Sequence, residues 1–240
     1  MYDISVCMPY FERKDALLST LESFKSCGYF SAASPVKIEV SICDDGSKEE
    51  PLEESPLYTL TTLPKKDLWL TPCVPINAAV RASNGPVIVL QSPETYHPEP
   101  VLYQMADMVE HYKDTVLVAC MNTAHGKKNR WYAHPDYKPN KYWWCQTLTR
   151  RFFEEIGGFD ETYRMYRCGE DNDFAIRLSD AGARWKWLEG VHVVHGWNMR
   201  AVHKTKVSPY PKLIETHGQQ SADKLFTHPP RKKLPRERGR

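Results

Sequence analysis

Short apolar segments alternate with segments of helical periodicity over the first 120 residues, and this alternation limits the folds that the chain can adopt. The apolar segments are four to seven residues long and include many β-branched side chains, which is typical of buried strands. The predicted strands are Ile4–Met8, Lys37–Cys43, Leu60–Leu63, Val87–Leu90 and Thr115–Cys120, and the predicted helices are Asp15–Phe24, Pro75–Ser83 and Val101–Tyr112. This order predicts an α/β fold with a Rossmann-like, mostly parallel central sheet flanked by helices.

The second half of the chain gives a weaker pattern. Residues 121–145 predict a long loop dense in Trp and Tyr, and a loop of this length inside a domain is typically functional. Its aromatic side chains could stack on a sugar or a base, or they could form a hydrophobic lid. Helices are predicted at Arg150–Ile156 and Glu170–Ala181, and short strands at Trp185–Leu188 and Val191–Val194.

Composition excludes several protein classes. No window of the 240 residues approaches the roughly 18–20 apolar residues of a membrane-spanning helix. Asp3 stands where a signal peptide would carry positive charge, so we expect a cytoplasmic protein, or a fragment that lacks its leader. The seven cysteines include no C-x-x-C pair, which favours reduced, mostly buried thiols over disulfides or a zinc ribbon.

Charge divides the chain into two regions. Residues 201–240 contain ten Lys and Arg against three acidic residues, whereas residues 1–200 carry a net negative charge. We therefore expect a folded domain at 1–200 and a basic, partly disordered C-terminal extension at 201–240. The extension could contact an anionic membrane surface, which would make this cytoplasmic protein a peripheral membrane protein. We do not expect a nucleic-acid partner.

Polar side chains follow three of the predicted strands at the point where each strand ends. The clusters are Tyr10–Arg13, Asp44-Asp45 and Gln91–His97. Ligands of open α/β sheets bind beyond the carboxyl ends of the strands, so these clusters predict a site at one edge of the sheet. Asp44 and Asp45 could be turn residues before Gly46, or they could accept hydrogen bonds from a uracil or a ribose.

Glu94 and His97 lie three residues apart and could share one divalent metal ion, which would neutralise a diphosphate leaving group. Alternatively, Glu94 caps the helix that begins near Pro98. His195 follows an apolar strand and is either a core residue or a further metal ligand.

A second acidic group, Glu170-Asp171-Asn172-Asp173, opens a predicted helix. Acidic residues in a first turn stabilise the helix dipole, and this role alone could explain them. Three acids after Gly169 exceed the needs of a cap, so one of them could serve as a general base.

Four blocks of the sequence, in order, resemble family 2 glycosyltransferases. They are "ISVCMPYFERKDALLSTLESF", "IEVSICDDGSKEE", "INAAVRASNGPVIVLQSPE" and "TRRFFEEIGGFDETYRMYRCGEDNDFAIRLSDAGARWKWLEGVHVVH". Together they span residues 4 to 195. The resemblance implies the glycosyltransferase A-type fold, with residues 1–200 as a catalytic domain that binds a nucleotide-sugar.

Site residues follow from the resemblance by position. The implied contacts to the nucleotide come from Pro9, Tyr10, Glu12, Asp44, Asp45 and Gln91. Asp171 would be the general base of an inverting transfer, with Glu170 beside it, and Gly157–Asp160 would shape the acceptor side.

One departure from the family concerns the metal. The D-x-D position holds Gln91-Ser92-Pro93, within a Q-x-P-E-x-x-H pattern that is similar to a subset of the family. Mn²⁺ or Mg²⁺ would then be held through Glu94, with His97 or His195. The alternatives are a metal-independent enzyme, whose diphosphate is bound by Lys127, Lys128 or Arg130, and an inactive protein.

The sequence therefore predicts a glycosyltransferase that moves a sugar from a UDP-sugar to a hydroxyl group on a glycan, a lipid-linked acceptor or a protein. A nucleotidyltransferase would share the sheet, but "MPYFERKD" lacks the glycine-rich loop of such enzymes. A non-catalytic module that binds nucleotide or carbohydrate is the other alternative.

Overall fold

A computed structural model describes residues 2–48, 51–64, 71–111, 114–124, 130–136, 145–166, 169–196 and 210–217. The strands are β1 Ile4–Tyr10, β2 Ile38–Asp44, β3 Thr59–Thr62, β4 Val87–Gln91, β5 Thr95–Tyr96, β6 Thr115–Ala124, β7 Arg130–Ala133, β8 Cys145–Thr149 and β9 Arg184–Gly196. The helices are α1 Lys14–Ser26, α2 Cys73–Arg81, α3 Val101–His111, α4 Arg150–Glu155, α5 Glu170–Asp180 and α6 Tyr210–His217, with a short 3-10 helix at Glu161–Met165.

The described strands form one mixed sheet in the order β3-β2-β1-β4-β8-β6-β9-β5, with β7 paired to β6. The neighbours β3, β2, β1 and β4 are parallel, as are β6 and β9. Antiparallel pairing reverses β8, β5 and β7, so six of the nine described strands run in one direction. The predicted α/β class with a mostly parallel sheet is confirmed.

Both faces of the sheet are covered, which explains why β1 reads as a nearly continuous apolar run. Ile4, Val6 and Met8 pack with α1 and α3 on one face, while Cys7 packs with α2, α4 and α5 on the other. Every residue of β1 is buried. Burial of each large apolar side chain contributes about 1.5–3 kcal/mol, and the two cores hold the strand ends in place.

The polar strand β8 is the main difference from the sequence prediction. Sequence reasoning assigned residues 121–145 to a loop followed directly by the helix at Arg150, whereas β6 extends to Ala124, and β7 and β8 add two antiparallel strands. Gln146 and Thr147 are fully buried at the centre of the sheet, so the segment lacks an apolar signal. Several aromatic side chains of the predicted loop lie outside the described residues.

Two further predictions are resolved by the fold. The predicted strands Trp185–Leu188 and Val191–Val194 belong to the single strand β9, whose register with β6 shifts between Ala119 and Cys120. The six described cysteines are free thiols, and all but Cys27 are buried, as expected. None of the described helices is long and apolar enough to cross a membrane.

Within the basic extension, residues 210–217 form α6. The remainder of 201–240 lies outside the described residues. The predicted boundary at residue 200 and the predicted contact with a membrane therefore stay predictions.

Candidate active site

The loop after β1 and the turn after β2 lie side by side because the two strands are parallel and in register. Pro9 pairs with Cys43 and Tyr10 with Asp44, and the backbone N–H of Asp45 donates to the carbonyl oxygen of Tyr10 at 2.9 Å. The sequence-predicted nucleotide residues of the first two strands are therefore brought together at the carboxyl edge of the sheet.

Glu12 fixes the conformation of the first loop. Its φ of 48° lies in the left-handed region, which residues other than glycine rarely adopt. Its N–H donates to Oγ of Ser47 at 3.0 Å, and its Oε1 accepts from the N–H of Lys48 at 3.3 Å. Such strain is held by the surrounding structure and is common where a ligand binds.

Asp44 serves the turn that follows β2. Its Oδ1 accepts a hydrogen bond from the N–H of Ser47 at 2.9 Å, and its side chain is buried. Asp45 is more exposed. The turn role and the nucleotide role of this pair are compatible, with Asp44 shaping the loop and Asp45 on its surface.

Gln91 and His97 are directed into the protein and bind each other. Nε2 of His97 donates to Oε1 of Gln91 at 2.8 Å, and Nε2 of Gln91 donates to the carbonyl oxygen of Thr95 at 2.9 Å. Nδ1 of His97 accepts from the hydroxyl of Tyr29 at 3.0 Å. Burial lowers the pKa of His97 to about 3, so its ring is neutral.

This arrangement corrects the predicted role of His97 as a metal ligand. Both ring nitrogens already have partners inside the protein, and the ring packs on Phe24 with a centroid distance of 4.7 Å. The physical reason is the two-residue strand β5, which separates Glu94 from His97. Side chains three positions apart along an extended chain point in opposite directions. Gln91 is likewise fully buried, which argues against a direct contact with nucleotide.

Glu94 lies in a cluster with Arg13 and His195, which we call the Glu94 cluster. Oε1 of Glu94 contacts Nη1 of Arg13 and lies 3.6 Å from Nε2 of His195. Pairing of β5 with β9 sets Thr95 opposite His195 and thereby joins residues a hundred positions apart. Burial raises the pKa of Glu94, and the guanidinium of Arg13 acts in the opposite direction.

The Glu94 cluster fits part of a metal site. Oε2 of Glu94 is buried and has no hydrogen-bond partner among the described residues. A carboxylate oxygen and an imidazole nitrogen are ligands that Mn²⁺ and Mg²⁺ sites use. In the described part of the chain, no group of three or more His, Cys, Asp and Glu side chains lies close enough to bind one ion. Among the described residues, Glu94 and His195 are the two candidate ligands.

The first turn of α5 contains the Asp171 cluster, which consists of Glu170, Asp171 and Asp173. Gly169 precedes the helix with φ of 109°, a conformation that favours glycine. Because α5 leads into β9, which runs parallel to β1, its N-terminus lies at the carboxyl edge of the sheet. The Asp171 cluster therefore lies at the same edge of the sheet as the Glu94 cluster.

The three carboxyl groups of the Asp171 cluster have different surroundings. Glu170 is buried, and burial together with the charges of Asp171 and Asp173 raises its pKa well above the ordinary value. Desolvation raises the pKa of Asp171 to about 6, against hydrogen bonds from backbone N–H groups. One of these donors is the N–H of Asn172, 2.8 Å from Oδ1 of Asp171. Asp171 is partly exposed and can meet a substrate.

Asp173 is fully buried and was not singled out by sequence reasoning. Its Oδ2 accepts from Nε of Arg177 at 2.8 Å, and its Oδ1 lies 2.7 Å from Nε2 of His217 in α6. The spacing of four residues between Asp173 and Arg177 could have indicated the ion pair. Nothing in the sequence around His217 indicated its contact.

Residues Gly157–Asp160 hold α5 against α2. Asn77 of α2 exchanges two hydrogen bonds with the backbone of Phe159, at 2.8 and 2.9 Å, and the ring of Phe159 stacks on Phe174 at 4.1 Å. Phe159 is buried, so this block supports the site through packing in the core. A shallow cavity of about 310 Å³ lies next to it, lined by Asp160, Glu161, Thr162, Arg164 and Met165.

The side chains of the bases predicted as an alternative phosphate site lie outside the described part of the chain. Lys127 and Lys128 are not among the described residues, and only the backbone of Arg130 is described, in β7.

Solved structures similar to this chain are glycosyltransferases. GalNAc-T7 with UDP, GalNAc and Mn²⁺ superimposes with a TM-score of 0.71 at 12% identity, over 94% of this chain and 50% of that one. Residues 1–349 of S. aureus TarS in complex with UDP-GlcNAc superimpose with a TM-score of 0.72 at 15% identity, over 93% of this chain and 71% of that one. The chain thus spans about half the length of GalNAc-T7. These similarities confirm the predicted A-type fold.

Comparison with curated proteins gives no significant match. The family model for "Glycosyl transferase family 2" matches residues 5–173, which is more than two thirds of the sequence. That range contains all of β1 but its first residue, the loop after β1, the Asp44-Asp45 turn, Glu94 and the Asp171 cluster. The chain belongs to glycosyl transferase family 2.

Proposed function

We propose that this chain is a glycosyltransferase that moves a sugar from a nucleotide-sugar, specifically a UDP-sugar, to a hydroxyl acceptor with inversion. The observation that carries the proposal is Asp171, a partly exposed carboxyl group at the carboxyl edge of the sheet with a pKa raised to about 6. Among the described residues no cation contacts Asp171, so its carboxylate is free to accept a proton. A general base of this kind is most effective when its pKa lies near the working pH.

The reaction breaks one bond and forms another at the anomeric carbon of the sugar. The hydroxyl oxygen of the acceptor attacks this carbon, and its proton passes to a carboxylate oxygen of Asp171. The bond between the anomeric carbon and the diphosphate oxygen breaks, and UDP leaves with the bonding electrons. A single displacement of this type inverts the configuration of the carbon.

The nucleotide would bind between the β1–α1 loop and the turn after β2. Glu12 and Asp45 would line the base and ribose, and Asp44 would hold the turn through Ser47. Pro9 and Tyr10, whose side chains are buried, would hold the two loops together through the backbone. The hydrogen bonds of Glu12 to Ser47 and Lys48 support this assignment because they keep the two loops together. UDP is favoured because GalNAc-T7 was solved with UDP and TarS with UDP-GlcNAc.

Glu94 and His195 would hold a divalent metal ion, Mn²⁺ or Mg²⁺. The support is the unpartnered, buried Oε2 of Glu94 and the imidazole nitrogen 3.6 Å from its other oxygen. When bound, the ion would neutralise the charge that develops on the departing diphosphate. Arg13, which contacts the same carboxylate, orients Glu94 and adds positive charge on this side of the site.

Calorimetric titration with UDP, with and without Mn²⁺, tests the binding part of the proposal. We expect binding that Mn²⁺ strengthens, together with slow release of UDP from UDP-GlcNAc when water serves as the acceptor. Failure to bind any nucleotide would contradict the proposal. Binding without hydrolysis or transfer would instead identify a non-catalytic nucleotide-binding module.

A further inference from the structure

The C-terminal extension returns to the first turn of α5. Nε2 of His217, at the end of α6, lies 2.7 Å from Oδ1 of Asp173. The side chains are 7% and 0% exposed, so the contact is shielded from water. A buried hydrogen bond to a carboxylate is among the stronger polar interactions in proteins.

The other oxygen of Asp173 connects the contact to the rest of the domain. Oδ2 accepts from Nε of Arg177 at 2.8 Å, and Nη1 of Arg177 donates to the carbonyl oxygen of Ile156 at 2.8 Å. One buried carboxylate thus joins α6, α5 and the segment that leads into Gly157–Asp160. Removal of either partner of such a carboxylate is costly because a buried charge loses its compensation.

We propose that His217 is a positioning residue for catalysis: by holding Asp173, it fixes the helix turn that presents Asp171 to the acceptor. Asp173 is two residues from Asp171 in the same turn, so a shift of one moves the other. Misplacement of a catalytic group by about 1 Å can cost on the order of 100-fold in rate. The inference rests on the proposed role of Asp171 and makes α6 part of the catalytic unit.

Because His217 faces a charged carboxylate, its removal should change the pH dependence of the rate, which a loss of packing alone would not do. The ionisable groups that face Asp173 are Arg177 and Glu170 on its own helix, His217 on α6 and Tyr163 on the 3-10 helix. The charge of Asp173 raises the pKa of both Glu170 and Tyr163. Without His217, that charge is less compensated. Because Asp173 and Asp171 lie in the same helix turn and like charges disfavour ionisation, the acidic limb of the pH–rate profile should then move to higher pH.

The test compares His217→Ala, His217→Gln and the control Glu215→Ala in the full chain. Glu215 is exposed on the same helix, so its removal should change nothing. The measurements are kcat and KM for UDP release from UDP-GlcNAc, the pH profile of kcat/KM, UDP affinity and Tm. For His217→Ala we expect kcat to fall about 10- to 100-fold, unchanged UDP affinity, and an acidic limb at higher pH.

His217→Gln should recover part of kcat, because its amide N–H can still donate to Asp173. If His217→Ala does not fold, the inference is tested on His217→Gln. An unchanged kcat and an unmoved acidic limb in a folded His217 variant would overturn the inference. Asp171→Asn, assayed beside them, separates the two proposals. Full activity of Asp171→Asn contradicts the proposed function, whereas its inactivity beside a fully active His217→Ala contradicts only the inference.

Discussion

The Glu94 cluster and the Asp171 cluster lie at the same edge of the sheet and differ in what surrounds their carboxyl groups. Each contains a buried glutamate with a raised pKa and an Oε2 that has no hydrogen-bond partner among the described residues. Glu94 contacts Arg13 and lies near His195, whereas Glu170 lies beside two further carboxyl groups.

The difference indicates separate tasks. Carboxylate, guanidinium and imidazole together can hold a metal ion and the phosphates that it binds. In the Asp171 cluster the cation Arg177 is bound to Asp173, whereas Glu170 and Asp171 are adjacent carboxyl groups that no cation contacts among the described residues. Such a pair favours the protonated form, which suits a group that takes up a proton during the reaction. We infer that the Glu94 cluster binds the leaving group and that the Asp171 cluster manages the proton.

Removal of the carboxylate at Asp171 should have the largest effect. Asn retains the size of Asp171 and cannot accept the acceptor proton, so we expect Asp171→Asn to lower turnover about 10²- to 10⁴-fold. The assay is UDP release from UDP-GlcNAc at saturating substrate. Asp180→Asn, at the exposed end of the same helix, is the control. Wild-type turnover in Asp171→Asn would remove Asp171 from the role of base.

Neutralisation of Glu94 should affect binding more than the proton transfer. We expect Glu94→Gln to weaken Mn²⁺-dependent UDP binding about 10- to 100-fold, because a ligand is lost and Arg13 is left with a neutral partner. Calorimetry in the presence of Mn²⁺ measures this. Glu99→Gln, an exposed glutamate five residues away, should bind as the wild type does. Equal UDP affinity in the two variants would contradict the assignment.

The pH–rate profile should report the Asp171 cluster. A base acts only when ionised, and the pKa of Asp171 is raised from 3.8 to about 6. We therefore expect kcat/KM for UDP-GlcNAc to rise as the pH increases through about 6. A rise already complete below about pH 5 would show that a carboxyl group with an ordinary pKa is responsible.

The smallest expected effect is a change in the free energy of unfolding. Its sign shows whether ionisation of Glu170 stabilises or destabilises the folded protein. Because the pKa of Glu170 is higher in the folded protein than in the unfolded chain, stability is lost as the pH rises from about 4 through the folded pKa. Glu170→Gln cannot ionise and should therefore raise the free energy of unfolding near neutral pH by on the order of 1 kcal/mol. Thermal unfolding at pH 4 and pH 8 checks this, since the gain should vanish at the lower pH.

Local patterns were sufficient for the parallel half of the sheet, where each strand is apolar and each helix is periodic. They were insufficient for β8, because Gln146 and Thr147 are polar residues buried by pairing with strands distant in sequence. The site shows the same limit. Spacing placed Glu94 and His97 together, but the extended β5 between them directs His97 towards Tyr29.

The contacts between distant segments depend on tertiary structure. The sequence prediction named His195 as one of two possible metal ligands beside Glu94, and the pairing of β5 with β9 brings these two residues together. His217 belongs to a segment predicted to be a partly disordered basic extension, and its contact with Asp173 requires the folded domain. The resemblance to family 2 supplied roles for Asp171 and Glu94, whereas the pairings between distant segments depend on the tertiary fold.

The division of tasks between the two clusters is tested most directly by the UDP affinity of Asp171→Asn and Glu94→Gln, measured by calorimetry in Mn²⁺. We predict a wild-type Kd for Asp171→Asn, despite its loss of turnover, and a weakened Kd for Glu94→Gln. Equal weakening in both variants, or no change in Glu94→Gln, would contradict the account.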